Sequence, residues 1–172
     1  MELWLVRHGE TLWNREGRLL GWTDLPLTPL GEAQALGLKG RLPLLPSYSS
    51  DLKRAHHTAL LAGFQPTLTH ALREIHFGTL EGMRWEELDP RYREALLQFQ
   101  GFAPPEGESL EAFKERVIRY LEELKAPSLL FTHGGVIRVA LRALGEDTLP
   151  LPGSALVLDW PRRLLDRLDP GP

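Results

Sequence analysis

No cysteine occurs among the 172 residues, so disulfides, thiolate metal sites and cysteine nucleophiles are excluded together. No apolar run approaches membrane-spanning length, and the first stretch, with Glu2 and Arg7 inside it, has the pattern of neither a signal peptide nor a spanning helix. Basic excess is also missing. A formal net charge of −3 and a sequence pI near 6.1 give no global electrostatic reason to bind nucleic acid or an anionic membrane, so any anion site must be local. Fixed-period repeats and low-complexity tracts are absent as well. A cytoplasmic protein is the expectation. With 42% hydrophobic residues the chain can build one sizeable core and is short for two, so residues 1–172 are expected to form a single domain.

What is present begins with Leu5-Val6-Arg7-His8-Gly9. The short β-prone run Leu3-Trp4-Leu5-Val6 reads as a buried strand that delivers Arg7 and His8 to its carboxyl end, where open α/β sheets place ligand sites. A guanidinium beside a histidine suggests an anion and a group to attack it. The pattern recurs: Ser128-Leu129-Leu130-Phe131-Thr132 is a second strand-like run, and His133-Gly134-Gly135 follows it before a helical pattern from Val136 to Leu144. Lying side by side in a parallel sheet, these strands would bring His8 and His133 to one edge. The free N–H groups of the helix beginning after Gly134-Gly135 would face the same place and favour a phosphate.

Strand-like and helix-like segments alternate, which predicts an α/β three-layer sandwich with a mainly parallel central sheet and helices on both faces. A long loop from Glu10 to Leu27 contains Asn14 and Gly21-Trp22-Thr23-Asp24, and loops of that length are usually functional. Thr28-Pro29 caps a helix reaching Leu38, Ser47–Ser50 is weakly strand-like, and Asp51 is expected to cap a helix ending near Gly63. Arg54 falls in that helix's first turn, where a cation is unfavourable unless it meets an anion. Thr67–Thr69 is extended, residues 79–105 look like a lid over one end of the sheet, Ser109 caps a helix through Leu124, and Ala155 to Trp160 forms a last strand. The charged tail from Pro161 is expected to fray. Arg7 and Arg54 can each offer a planar fork to phosphate oxygens and Asn14 an uncharged donor, which together make a pocket for a dianion.

Taken together, the motifs resemble the histidine phosphatase superfamily, the phosphoglycerate mutase-like family. Four segments carry the likeness in the family's order: Leu5-Val6-Arg7-His8-Gly9-Glu10-Thr11 with Asn14; Ser50-Asp51-Leu52-Lys53-Arg54-Ala55; Leu72-Arg73-Glu74-Ile75-His76-Phe77-Gly78 with Glu81-Gly82; and Thr132-His133-Gly134-Gly135. The resemblance implies that His8 is the nucleophile, forming a phosphohistidine, and that Glu74 is the general acid with a pKa raised toward neutrality. It implies that Arg7, Asn14, Arg54 and His133 bind the phosphate, with Gly134 and the backbone or hydroxyl of Thr23 reaching the substrate. It also implies a scheme without metal or cofactor, a small phosphorylated metabolite as substrate, and no nucleic acid or membrane partner, with a homodimer left open. Ile75 stands where the mutase branch typically has an arginine after the acid glutamate, and the middle insertion is short, so hydrolysis is preferred to mutase activity. Within the phosphatases, the short chain, Phe77-Gly78 and Gly107-Glu108-Ser109 resemble the α-ribazole phosphatase group of cobalamin assembly.

Other readings stay open beside this one. A phosphoglycerate mutase would use the same histidine; a metallohydrolase could be built from His8, His133 and carboxylates; a non-catalytic phosphate-ligand or regulatory module would need only the binding residues. His56, His57, His70 and His76 read as structural or solvated, and Trp22, Trp85 and Phe77 as packing residues.

Overall fold

The computed structural model describes residues 1–171. Six strands, β1 (Glu2–Arg7), β2 (Ser47–Ser50), β3 (Thr67–Thr69), β4 (Ser128–Thr132), β5 (Ala155–Asp159) and β6 (Arg163–Leu168), form one sheet in the order β3-β2-β4-β1-β5-β6. The pairs β1/β4, β2/β4 and β2/β3 are parallel, whereas β5 runs antiparallel to both β1 and β6. The sheet is therefore mixed and mainly parallel. Among the described residues six α-helices accompany it: α1 (Leu12–Arg15), α2 (Pro29–Leu36), α3 (Lys53–Leu61), α4 (Pro90–Gln98), α5 (Leu110–Glu123) and α6 (Gly134–Ala143).

The period-two alternation of the strands divides the core in two. Leu3 and Leu5 of β1, with Leu130, Leu156 and Leu158, pack with Phe113, Val117 and Leu121 of α5 and Val136, Ile137 and Ala140 of α6. Val6, Leu129, Phe131 and Ala155 point the other way, against Leu38, Ala59 and Ala62 around α2 and α3. Helices thus cover both faces of a sheet whose central strands β1 and β4 are apolar through their middles, Leu3–Val6 and Leu129–Phe131, as strands buried on two sides require.

Thr28 and Ser109 cap α2 and α5 through their hydroxyls, as the sequence predicts. Two expectations are corrected. Asp51 does not cap α3: the N-cap is Leu52, with no side-chain hydrogen bond, because the Asp51 carboxylate is drawn to Arg73 in a bidentate pair at 2.7 and 2.9 Å. The segment after Pro161 does not fray, since Arg163–Leu168 pairs with β5 and closes one edge of the sheet. Its charged, exposed side chains hide the strand from any apolar pattern and keep the edge from templating further pairing.

Candidate active site

The register of β1 on β4 sets Arg7 opposite Thr132, so the next residues, His8 and His133, leave the sheet side by side. Their rings meet edge-on with centroids 5.1 Å apart. After His8 the chain turns against α2 so closely that a Cβ on Gly9 would lie 2.3 Å from the Gly31 carbonyl oxygen; only glycine fits there. The His8 Nδ1 sits 2.7 Å from the Gly9 carbonyl oxygen. A carbonyl only accepts, so Nδ1 carries the proton and the lone pair is left on Nε2. Burial, then the positive charges of Arg54 and Arg7, hold the His8 pKa well below its ordinary value, and the imidazole is neutral across the physiological range.

Arg54 projects from the first turn of α3 and is fully buried. Its Nη1 donates to the Thr23 carbonyl at 2.9 Å and its Nη2 to the Gly21 carbonyl at 2.5 Å. Glu81 fixes that loop: Oε1 accepts from the backbone N–H of Gly21 (2.7 Å) and Thr23 (2.9 Å), and Oε2 from that of Phe77 (3.1 Å). Burial pulls the Arg54 pKa down to about 10, against the opposing pull of Glu74, Glu81 and Asp24. Arg7 donates through Nη1 to the Pro150 carbonyl. His133 pairs Nε2 with the Ser50 hydroxyl at 2.8 Å, and its pKa is likewise held well below the usual value by burial and then by Arg54.

Among the described residues, the buried side-chain nitrogens and oxygens that lack a hydrogen-bond partner are Arg7 Nε, Arg54 Nε and His133 Nδ1. A buried donor left unmet costs about 1–3 kcal/mol, more when charged. All three belong to residues that the sequence motifs assign to phosphate binding, and two of them are cationic. An anion resolves the deficit.

Glu74 approaches from the far side. Its Oε1 accepts from the Ile75 N–H (3.0 Å) and its Oε2 from the Gly135 N–H in the first turn of α6 (2.9 Å). Burial raises the Glu74 pKa in spite of these two hydrogen bonds and of Arg54 and Arg7. Asn14 closes a capping box at the start of α1, where Oδ1 accepts from the Thr11 N–H (3.0 Å) and hydroxyl (2.9 Å). That fixes the amide so that Nδ2 is the donor left for a ligand. A cavity of about 280 Å³ is lined at one end by Arg7, His8, Asn14, Glu74, Gly134 and Gly135. At Gly134 a Cβ would lie 2.8 Å from Leu149 Cδ1 and 3.4 Å from the Arg7 guanidinium carbon, so the helix start packs directly against both side chains.

Thr23 has its backbone N–H engaged by Glu81 and its carbonyl by Arg54, so its backbone aims Arg54. The sequence pattern assigns no role to Arg116, which clamps the Glu74 segment. Its Nη1 donates to the carbonyls of Ala71 and Arg73 (2.9 Å each), its Nη2 reaches the Glu74 carbonyl (3.3 Å), and its fork pairs with Glu108 at 2.9 and 2.8 Å. The Glu108 Oε1 in turn accepts from the His76 N–H. Arg116→Lys keeps the charge but loses the fork. We expect it to slow phosphoryl transfer from an alkyl phosphate about 10-fold and from p-nitrophenyl phosphate far less, because the nitrophenolate leaves without a proton; rapid-quench measurement of the two rates checks this.

Gly135 offers a second test. A Cβ at this position would lie 2.2 Å from Glu74 Oε1, while alanine is the better helix former by about 1 kcal/mol. Gly135→Ala is expected to displace the carboxylate and cut turnover of alkyl phosphates roughly 100-fold without lowering the melting temperature. Calorimetry and a phosphate-release assay separate the two effects.

The fold and this edge of the sheet define a histidine-type phosphatase. The chain belongs to the histidine phosphatase superfamily (branch 1), whose family model matches residues 3–152. It is similar to a phosphoglycerate mutase from Thermus thermophilus, whose solved structure shares 74% identity over 98% of each chain with a TM-score of 0.97. The structure of the alpha-ribazole phosphatase from Shigella flexneri aligns with a TM-score of 0.81 at 29% identity, over 98% of this chain and 96% of that one. The metal-independent phosphoserine phosphatase of Arabidopsis thaliana is 36% identical over 80% of this chain and 66% of its own length. Members of this superfamily are phosphatases or mutases acting on small phosphorylated substrates. Among the described residues no helix is long and apolar enough to cross a membrane.

Proposed function

We propose that the protein is a phosphomonoesterase that works through a phosphohistidine at His8 without a metal. The observation that carries this reading is the set of three unpartnered buried nitrogens, two of them guanidinium donors, Arg7 Nε, Arg54 Nε and His133 Nδ1, gathered around a neutral imidazole whose Nε2 holds its lone pair. Nε2 attacks phosphorus as the P–O bond breaks, and the protonated Glu74 carboxyl gives its proton to the departing alkoxide. Charge spreading onto the phosphoryl oxygens in the transition state falls to the arginines, His133 and Asn14. Glu74, now ionised, then takes a proton from the water that attacks phosphorus, the P–N bond breaks, and phosphate departs from a restored His8.

Hydrolysis is preferred to mutase activity because return transfer needs spare cations at the far end of the cavity. There Arg138 is already held by Asp147 at 2.8 Å and by the carbonyls of Leu96 and Leu97. Residues 79–105 supply Trp85, Leu96 and Phe99 to the cavity wall, which supports reading this stretch as the segment that sets substrate choice. As the particular substrate we put forward α-ribazole 5′-phosphate, supported by the Shigella flexneri neighbour. Phosphate release from that ester, phosphoglycerates, sugar phosphates and nucleotides, measured alongside isomer interconversion with and without chelator, tests the reading. Activity that vanishes on chelation and returns with a divalent ion would overturn the metal-free scheme.

A further inference from the structure

His8 and His133 each follow a central strand and precede a glycine, yet only one of two such imidazoles can be the nucleophile. In His8 the Gly9 carbonyl takes the Nδ1 proton and leaves the lone pair on Nε2. His133 meets no such carbonyl. Its Nδ1 is buried without a partner, and its Nε2 lies 2.8 Å from the hydroxyl of Ser50, the last residue of β2. Which nitrogen holds the proton is therefore decided by what that hydroxyl can do.

Ser50 is fully buried, and among the described residues its hydroxyl has two partners. Its oxygen accepts from the Leu52 N–H at 3.2 Å, where the chain turns from β2 into α3, and it meets His133 Nε2 on the other side. Were Nε2 protonated, two N–H groups would point at one oxygen and the hydroxyl proton would have no acceptor. A bare lone pair on Nδ1 would then be offered to an anion. Each mismatch is costly in a buried site. With the hydroxyl donating to Nε2 every group is met: the Leu52 N–H by the oxygen, the hydroxyl proton by Nε2, and Nδ1–H by a phosphoryl oxygen. Burial and the charge of Arg54 disfavour the doubly protonated ring.

We propose that Ser50 is a positioning residue that fixes the His133 proton on Nδ1. The second histidine is thereby a hydrogen-bond donor to the phosphoryl group and, with Nε2 occupied by the hydroxyl, is kept from competing with His8 as a nucleophile. The proposal rests on the phosphohistidine reading for the identity of the ligand and adds the residue that divides the labour between two histidines in like settings.

Nitrogen-15 NMR of the wild-type enzyme reads the tautomer without turnover, with His133 assigned by the signals lost in His133→Ala. We expect the proton on Nδ1 and a lone pair on Nε2 at neutral pH; a proton on Nε2, alone or together with one on Nδ1, would overturn the proposal. Ser50→Ala should let the Nε2–H form appear and raise the inhibition constant of inorganic phosphate about 10-fold. It should slow phosphoryl transfer from ethyl phosphate and from p-nitrophenyl phosphate equally, because donation to a phosphoryl oxygen does not depend on the leaving group. Ser50 also holds the turn that leads to Arg54, so the substitution is repeated in His133→Ala, where it should change the rate by less than about 2-fold. An undiminished cost in that background, or an unchanged tautomer in Ser50→Ala, would show that Ser50 acts through the turn alone and would end the proposal. Full phosphate release by His8→Ala would instead bring down the phosphohistidine reading, while the proton position on His133, measured without catalysis, would stand.

Discussion

His8→Ala is expected to lower turnover about 10⁵- to 10⁶-fold, the scale on which removal of a covalent nucleophile acts. The same substitution should abolish labelling of the protein by a phosphorus-labelled ester, a label that in the wild type survives alkali and is lost in acid, as a phosphohistidine is. Stability should move the other way or not at all. His8 is almost wholly buried beside two guanidinium groups, and a site built to receive an anion is strained while empty. An unchanged or higher melting temperature together with lost labelling identifies a functional residue; a fall of many degrees would show that the imidazole is needed for the fold. Full activity in the variant would dismiss covalent catalysis at His8.

Glu74→Gln is expected to split the two half-reactions. With an alkyl ester both steps need Glu74, and turnover should fall about 10²- to 10⁴-fold. With p-nitrophenyl phosphate the first step needs no proton, so the variant should release one burst of nitrophenolate and then stall as the phosphoenzyme. Stopped-flow absorbance reads the burst, and its absence would move the acid elsewhere. The pH dependence follows from the same pair of groups. Because the Glu74 pKa is raised, transfer to His8 should hold on the acid side and decline as pH rises through that raised value. Because the His8 pKa is depressed well below 6.5, the nucleophile is protonated only in much stronger acid. Linkage gives the stability counterpart. His8 and His133 bind fewer protons folded than unfolded, so stability falls as pH drops below about 6.5, the ordinary histidine value, and the loss is complete below the folded pKa values. Glu74 binds more protons folded, so its contribution is present below its unfolded value of 4.5 and is lost as pH rises through the raised one.

The parts of this site that are legible in the sequence are those where a residue violates its local surroundings. His8 and His133 each end an apolar strand, and Arg54 sits at a helix start where a cation is misplaced; each anomaly has one explanation and the structure places all of them at one sheet edge. Arg116 is illegible because nothing is anomalous about an arginine on an amphipathic helix. Its function lies in carbonyls more than 40 residues away in sequence, which no local pattern reports. Asp51 misleads since a helix cap and an ion pair compete for the same carboxylate, and only the position of Arg73 decides between them. Strand β6 escapes a sequence pattern because its side chains are largely solvated and its existence depends on the backbone of β5.

The place of β1 between β4 and β5 has a kinetic consequence. The first strand to be synthesised has no sheet partner until residues 128–132 and then 155–159 have been made, so a nascent chain carries an apolar segment that must wait for most of its own length. Pairing over such long sequence separation is slow because loop closure precedes any reward. On refolding, catalytic activity and the native sheet should therefore appear together and late, after helical signal has developed, and the waiting strand is the segment most in need of shelter meanwhile.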